Sequence, residues 1–539
     1  MKKLLIILLS CVALTVYGQK PKVAIYITGK DPLNEIVANR LLSCFIASGK
    51  YTAVERSTAF LEALAKEHHY ERSGEVDDAD IAKLGKQFGV QYVCVISVKA
   101  VAYSEKYISA RIIDVNSAEV IGSCSSNGTV LETNSKILME ALDNLSNKFI
   151  RTLDYAKDAN AKKVAVYIAK TGKEYVDMIL GDQLVDVFAG SGKYIAVERT
   201  NEFLKQLNSE AGYQASGAVD DDDMLMRLGK QFGVQYVCVA KAIAHNKTYF
   251  VTSRLVDVTT AEVVKLYNAE NKNMNNASEV VAVAREVAYN LAANTPSTLP
   301  AHQNYTEDAF GLNMKMIWVE GGSFMMGCTK EQGKGEKDEK KVHRVTLEGY
   351  YIGMLEVTQA QWATVMLTNS SSTKGANLPI ENIRRSDAVE FCRLLSIITG
   401  RTYDLPTEAQ WEYAARGGIK NDGTKYAGSD IIEEVAWCNA DGSDHRIHPC
   451  GTKRPNGLGI YDMSGNVVEY CKDNYLPYYG KEDAYNPLIT SFYKGNTYYV
   501  LRGGSHYSPA TNCRVANRYY VSPSHQLIGG FGFRVVCIP

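Results

Sequence analysis

The sequence predicts a multidomain chain: two repeated α/β (α+β) domains followed by an irregular α+β domain. Three observations carry this reading. The segment LGKQFGVQYVCV at 84–95 returns unchanged at 228–239. Three further pairs match: KVAIYI with KVAVYI, SGKYTAVERS with SGKYIAVERT, and ARIIDVNSAEV with SRLVDVTTAEV, at a period of about 143 residues. Past residue 308 the repeat stops, aromatics and glycines become frequent, and seven of the twelve cysteines lie from Cys328 onward. The expected organisation is a leader at 1–18, repeats at 19–150 and 160–290, a linker at 291–309 and a third domain at 310–539.

The leader reads MKKLLIILLSCVALTVYGQK. Lys2 and Lys3 form a basic start, and 4–16 is an apolar run too short to span a bilayer. Val16 and Gly18 suit cleavage before Gln19. LLSC, ending at Cys11, offers a lipobox reading, weakened by the apolar residues that continue after it. The expectation is an exported protein, in the periplasm, associated with the outer membrane or at the cell surface. No later segment reaches 18 apolar residues, so no transmembrane segment is expected in the mature chain. Removal of Cys11 leaves an odd number of cysteines in an oxidising compartment, so some disulfide bonding is expected and one thiol is left over. Cys438 and Cys450 are close enough in sequence for a small bridge.

Within each repeat, VAIYI reads as a strand and 33–47 as a helix, with Leu41, Leu42, Phe45 and Ile46 on or near one side. TAVE is a second strand. Helices are expected at 60–67 and 77–88, the latter capped by Asp77 or Asp78 and ended by Gly89. YVCVISVKAVAYS and YISARIIDV read as a hairpin of longer strands, giving the layout βαβααββ in two-layer or three-layer packing. Glu55–Arg56 and Glu198–Arg199 read as strand-end ion pairs, and Cys94 and Cys238 as buried thiols. His68 and His69 have no counterpart in the second copy, and 219–223, VDDDD, reads as a helix start.

The linker contains LAANTPSTLPAHQNYTED. In the third domain, Thr358 with Gln361 and Thr407 with Gln410 are capping boxes, and Gly400 and Gly417 are helix stops. EQGKGEKDEKK, 331–341, reads as an exposed loop without the spacing of a phosphate-binding loop. The balance of 46% hydrophobic and 22% charged residues with formal net charge -1 gives no electrostatic reason to expect nucleic acid. CxxC and HExxH do not occur, which argues against the common structural zinc sites.

Two resemblances follow from these motifs. GKYTAVERS, LGKQFGVQYVCV, RIIDVNSAEV and their second copies resemble the CsgG-like and LpoB-like family of bacterial envelope proteins. That resemblance implies binding or assembly modules, with an envelope partner and possible oligomerisation. VEGGSFMMGC, YYIGMLEVTQAQW, LPTEAQWEYAARGG, PNGLGIYDMSGNVVEYCKD, LRGGSHYSPATNCRVANR and GFGFRVVC resemble the formylglycine-generating enzyme (sulfatase-modifying factor) family. It implies a C-type-lectin-like fold. Catalytic members oxidise a substrate cysteine with copper held by two loop thiols. On this chain the later thiol falls on Cys513 and the earlier on Ser508. A serine hydroxyl is a poor ligand for the soft Cu(I) ion, so copper is not expected.

The expected function is therefore non-catalytic recognition of a protein, peptide or glycan, with enzymatic modification of an exported substrate as the alternative. Ser508, Cys513, Arg514 and Arg518 are the candidate cleft residues, with Arg502 and Arg534 adding positive charge. The resemblance also implies structural calcium, held by the Asp462 and Glu469 side chains and the Gly465 and Val467 carbonyls. Asn439 and Ala440 match the start of a second calcium site.

Overall fold

The computed structural model describes residues 20–28, 33–48, 51–54, 85–87, 89–102, 105–117, 119–126, 130–131, 160–169, 173–197, 229–230, 233–245, 248–293, 299–366, 368–440, 445–477, 483–525 and 529–539, with Ala82 and Leu142. The leader, Cys11, the 60–67 helix, most of the 77–88 helix, Glu55, Arg56, His68, His69, Glu198, Arg199 and 219–223 lie outside the described residues. Two compact units divide the chain, 1–292 and 293–539.

In the first unit, β1 (Lys22–Thr28) is flanked in parallel by β2 (Thr52–Val54) and β3 (Tyr92–Ala102). The antiparallel strands β4 (Glu105–Asp114) and β5 (Val120–Ser125) follow, and β6 (Val130–Leu131) pairs with β4. The order is β2-β1-β3-β4-β5. The second repeat reproduces it. Its strands β7 (Lys162–Ala169), β8 (Tyr194–Val197), β9 (Tyr236–His245), β10 (Thr248–Asp257) and β11 (Val263–Lys272) run in the order β11-β10-β9-β7-β8. β5 and β11, which close each sheet, are strands that the expected βαβααββ layout did not contain.

Helix α1 (Leu33–Ala47) buries Val37, Ala38, Leu41 and Phe45 against Val23, Ile25, Cys94 and Ile96. Leu41 and Phe45 are four apart and share a face; Ile46, rotated by one residue, is 60% exposed. In the second repeat, α2 (Glu174–Gly190) packs on α3 (Ala277–Ala292).

The repeats meet through a polar seam. Cys124 of β5 belongs to the apolar core beside α1, while Ser123 and Ser125 alternate to the opposite face. There both hydroxyls donate to the buried Asp186 of α2. Gln183, one turn earlier, donates to Ser125 Oγ at 2.5 Å and to the Tyr107 hydroxyl at 3.3 Å. No helix among the described residues is long and apolar enough to cross a membrane.

Among its described residues the second unit has three small sheets. One runs β12 (Tyr305–Glu307), β13 (Met314–Val319), β16 (Tyr350–Gly353), β23 (Val536–Ile538), β17 (Thr402–Asp404). Another joins β14 (Gly322–Met326), β15 (His343–Leu347) and β19 (Asp483–Tyr485). The third runs β21 (Arg518–Val521), β20 (Tyr499–Arg502), β18 (Val468–Asn474), β22 (Phe531–Gly532). Its described α-helices are α4 (Gln359–Met366), α5 (Arg385–Thr399), α6 (Glu408–Ala415) and α7 (Ile432–Val435).

Gln361 N donates to Thr358 Oγ1 at 3.2 Å and Gln410 N to Thr407 Oγ1 at 3.1 Å, so both boxes cap the helices that follow them. Gly400 ends α5 in the left-handed region at φ 69. The 291–309 stretch is not all linker: Tyr305–Glu307 is a strand whose buried Glu307 accepts from the Tyr403 hydroxyl at 2.9 Å.

Candidate functional site

The loop from β20 to β21 is built around Arg502. Its side chain is fully buried and donates to the carbonyls of Ala516, Asn517 and Val515 at 3.2, 2.8 and 3.1 Å, and to Glu412. Two glycines let the loop fold back tightly. A Cβ on Gly504 would lie 2.8 Å from Cys513 Sγ, and one on Gly503 3.1 Å from the Trp411 ring; both have positive φ.

Ser508 closes a turn in this loop. Its Oγ accepts from Ser505 N at 2.9 Å, and its carbonyl accepts from Asn439 N at 3.0 Å. Cys513 is 0% exposed and shares an apolar cluster with Cys438, Tyr426 and Val435. The Ser464 hydroxyl donates to the Cys513 carbonyl at 2.8 Å. The chain thus brings a second thiol, Cys438, into the same cluster from a distant segment. The ten cysteines from Cys94 to Cys537 whose side chains are described are unbridged, so the anticipated Cys438–Cys450 bridge is absent: Cys438 is fully buried in that cluster, while the Cys450 thiol faces Glu356.

Arg514 and Arg518 do not project positive charge into a cleft. Arg514 is held bidentately by Glu339 at 2.7 and 2.8 Å, and Arg518 by Glu408 at 2.6 and 2.8 Å. All four side chains are buried. A fork-shaped guanidinium matched to a carboxylate is a strong, directional anchor. The 331–341 segment is an exposed loop at most of its positions, as expected, but two side chains anchor it in the core: Glu339 is 1% exposed and the buried Gln332 accepts from the Ala516 amide.

The four residues of the calcium set implied by the resemblance, Asp462, Gly465, Val467 and Glu469, lie in the DMSGN turn and the start of β18. Glu469 spends both oxygens on Arg534, at 2.7 Å each, and also accepts from Trp411 Nε1 at 2.8 Å. Asp462 sits at φ 57 in the DMSGN turn and its Oδ2 accepts from Gly451 N at 2.6 Å. Gly465 packs its Cα against the Trp437 backbone, where a Cβ would meet Trp437 O at 2.4 Å, and Val467 N is held by Glu356. Asn439 and Ala440 are exposed, and the residues that follow them, 441–444, lie outside the described set.

Besides Trp437, whose aromatic character marked it as a core anchor or cleft residue, several residues gather here that sequence reading did not single out. His506 is buried, and its Nδ1 donates to the Asn466 carbonyl at 2.8 Å. Burial pushes its pKa below the ordinary value, which favours a neutral ring with Nε2 as the acceptor. Trp437 stacks on His448 at 3.7 Å and carries Lys453 over its ring; His445 stacks with the exposed Tyr507 at 6.3 Å. Together they set rings and imidazoles around the Ser508 turn. Glu356 is fully buried between Leu355 and Val357; a lone acid in the apolar run GMLEVT was the available signal. An open cleft of ≈ 400 Å³ lined by Phe324, Glu331, Tyr413 and Arg416 includes neither Ser508 nor Cys513.

Comparison with known proteins adds the following. A family model described as the sulfatase-modifying factor enzyme 1-like domain matches residues 302–538. The chain is 35% identical over 205 residues to chaperone protein LppX of Paenibacillus barcinonensis, covering 29% of this chain and 70% of that protein. It is 33% identical over 197 residues to a formylglycine-generating enzyme of Streptomyces coelicolor, covering 33% and 59%. It is 30% identical over 243 residues to the serine/threonine-protein kinase Pkn1 of Chlamydia trachomatis, covering 41% of this chain and only 38% of that protein.

Proposed function

The chain belongs to the sulfatase-modifying factor enzyme 1-like family through residues 302–538, and on that premise we propose that it recognises a substrate outside the cytoplasm without oxidising it. The carrying observation is the state of the two loop positions. Ser508 contributes a hydroxyl already engaged in its own turn, and Cys513 is shut inside an apolar cluster. A soft monovalent copper needs sulfur ligands that can meet it. What this part of the unit does offer is two ring pairs, Trp437 with His448 and His445 with the loop's Tyr507, rings with polar edges of the kind that bind peptide or glycan. In this reading the duplicated CsgG/LpoB-like domains dock the protein to envelope machinery; their repeated strand order and motifs support a common docking role. The N-terminal leader pattern supports export.

Modification of an exported substrate is the second reading. It is favoured by relatives that are named formylglycine-generating enzymes, and by Cys438 lying in the cluster of Cys513. The comparisons lean towards modification, the thiol burial towards recognition. Incubating the full chain with cysteine-containing peptides, oxygen and Cu(I) separates the two: recognition predicts retained binding with no aldehyde product, whereas catalytic aldehyde formation establishes the second reading.

A further inference from the structure

We propose that the protein assembles head to tail: the outer stripe of α1 in one copy docks on the outer face of β11 in the next, repeating between copies the contact that joins the two repeats within one.

The internal contact is the template. SGKY follows both helices, at 48–51 and 191–194, and DV lies before both closing strands, at 114–115 and 257–258, so residues 143 apart are equivalent. Across the seam Ser123 and Ser125 of β5 donate to Asp186, and Gln183 donates to Ser125 and to Tyr107 of β4. That contact uses the closing-strand face of the first repeat and the helix stripe of the second. The helix stripe of the first repeat and the closing-strand face of the second take no part in it. The end strands β5 and β8 meet at the seam, which leaves β2 and β11 as the outer ends of the two sheets.

Both remaining faces are exposed where their counterparts are buried. On α1, Ile36 is 44% exposed against 0% for its counterpart Ile179, and Ser43 and Ile46 are exposed where Asp186 and Ala189 are buried. Residues 36, 39, 43 and 46 follow the spacing of one helical stripe, and all four are exposed. On β11, Leu266 is 65% exposed against 6% for Ser123, and Asn268 is exposed where Ser125 is buried. Tyr267, between them, donates to Glu286 of α3, so Leu266 and Asn268 share the face that points away from that helix. Phe250, the counterpart of the buried Tyr107, is half-buried beside them in β10. A single exposed leucine is ordinary; two exposed faces whose equivalents already bind each other are not.

The chemistry of the two faces selects a second copy as the occupant. Equivalence sets Leu266 and Asn268 over Ser43, with Ile36 and Ile46 on either side. Leu266 stands where the first repeat has Ser123, and Ile46 stands where the second has Ala189. Strand and helix have thus both become more apolar at matching positions. The internal seam is tethered and holds with a small polar network. A contact between separate chains has no tether and relies on buried apolar area. Each chain carries one face of each kind, so the contact is heterologous, and every added copy presents the same two faces again.

Sedimentation of the full chain over a concentration series is the test. The expected mass grows with concentration and passes the dimer. Leu266→Asp blocks the strand face and Ile46→Asp the helix stripe, and each weakens association by about 30-fold or more, the scale of a hot-spot loss. Ile431→Asp, at an exposed position of the second unit, leaves association unchanged. Mixing Leu266→Asp with Ile46→Asp brings one intact stripe to one intact strand face, so the mixture forms a dimer and stops there. In the unmutated chain, hydrogen exchange slows with concentration in α1 and β11 but not in β5, which keeps the test open if a variant fails to fold. A monomer at every concentration, an assembly that survives either substitution, or a mixture that stays monomeric overturns the proposal.

Discussion

Removing either partner of the Glu469–Arg534 pair is the perturbation whose cost the structure defines best. Both side chains are 0% exposed, and the guanidinium makes two contacts of 2.7 Å to the carboxylate. Arg534 also donates to the carbonyls of Gly353 and Tyr461 at 3.0 and 2.9 Å, tying β16 and the PNGLGIYD loop to the C-terminal strand. Arg534→Met leaves Glu469 with only the Trp411 indole, and orphans the two carbonyls. Breaking a buried pair from one side costs about 3–5 kcal/mol because the remaining charge is uncompensated. For a unit of this size each kcal/mol is worth about 2–4 °C, so the melting temperature falls by about 6–20 °C. All four tryptophans, Trp318, Trp362, Trp411 and Trp437, lie in 293–539, so tryptophan fluorescence of the full chain reports this unit directly. The double variant Glu469→Leu/Arg534→Met removes both charges and costs less than the sum of the singles. A loss under about 1 kcal/mol for Arg534→Met, the scale of an exposed pair, refutes the reasoning. So does a Glu469→Gln variant that loses a calcium response present in the unmutated chain, since that would make Glu469 a metal ligand.

Three further outcomes are expected. Thr407→Ala removes the hydroxyl that caps α6 and destabilises the second unit by about 1 kcal/mol, read by urea titration of tryptophan fluorescence. Asp473 is buried against Glu408, and desolvation followed by that repulsion raises its pKa to about 7. Its folded pKa lies above the unfolded value, so its contribution is complete below about pH 4 and is lost as pH rises through 7. Stability measured between about pH 5 and 8 should therefore fall with pH, and Asp473→Asn should make the fall shallower. Asp186→Ala strips the acceptor from Ser123 and Ser125 at the seam between repeats, and hydrogen exchange should accelerate in β5 more than in β9.

What was legible in the sequence was local or repeated. The capping boxes at Thr358 and Thr407 span three residues, and the strand order of the second repeat copies that of the first because its motifs do. What was hidden depends on chain closure. Arg514 meets Glu339 across 175 residues and Arg518 meets Glu408 across 110. Before folding, 331–341 is simply a charged run, and no spacing rule tells that Glu339 is buried. Glu469 was legible as an acid in DMSGNVVE, but its partner Arg534 sits 65 residues away. The same closure places Cys438, rather than Cys450, in the cluster of Cys513.

Titration of the full chain with Cu(I) under reducing, oxygen-free conditions tests the claim on which the functional reading depends. With a hydroxyl at Ser508 and a buried thiol at Cys513, the account predicts no stoichiometric tight binding. One Cu(I) bound per chain, lost on Cys513→Ser or Cys438→Ser, would contradict it.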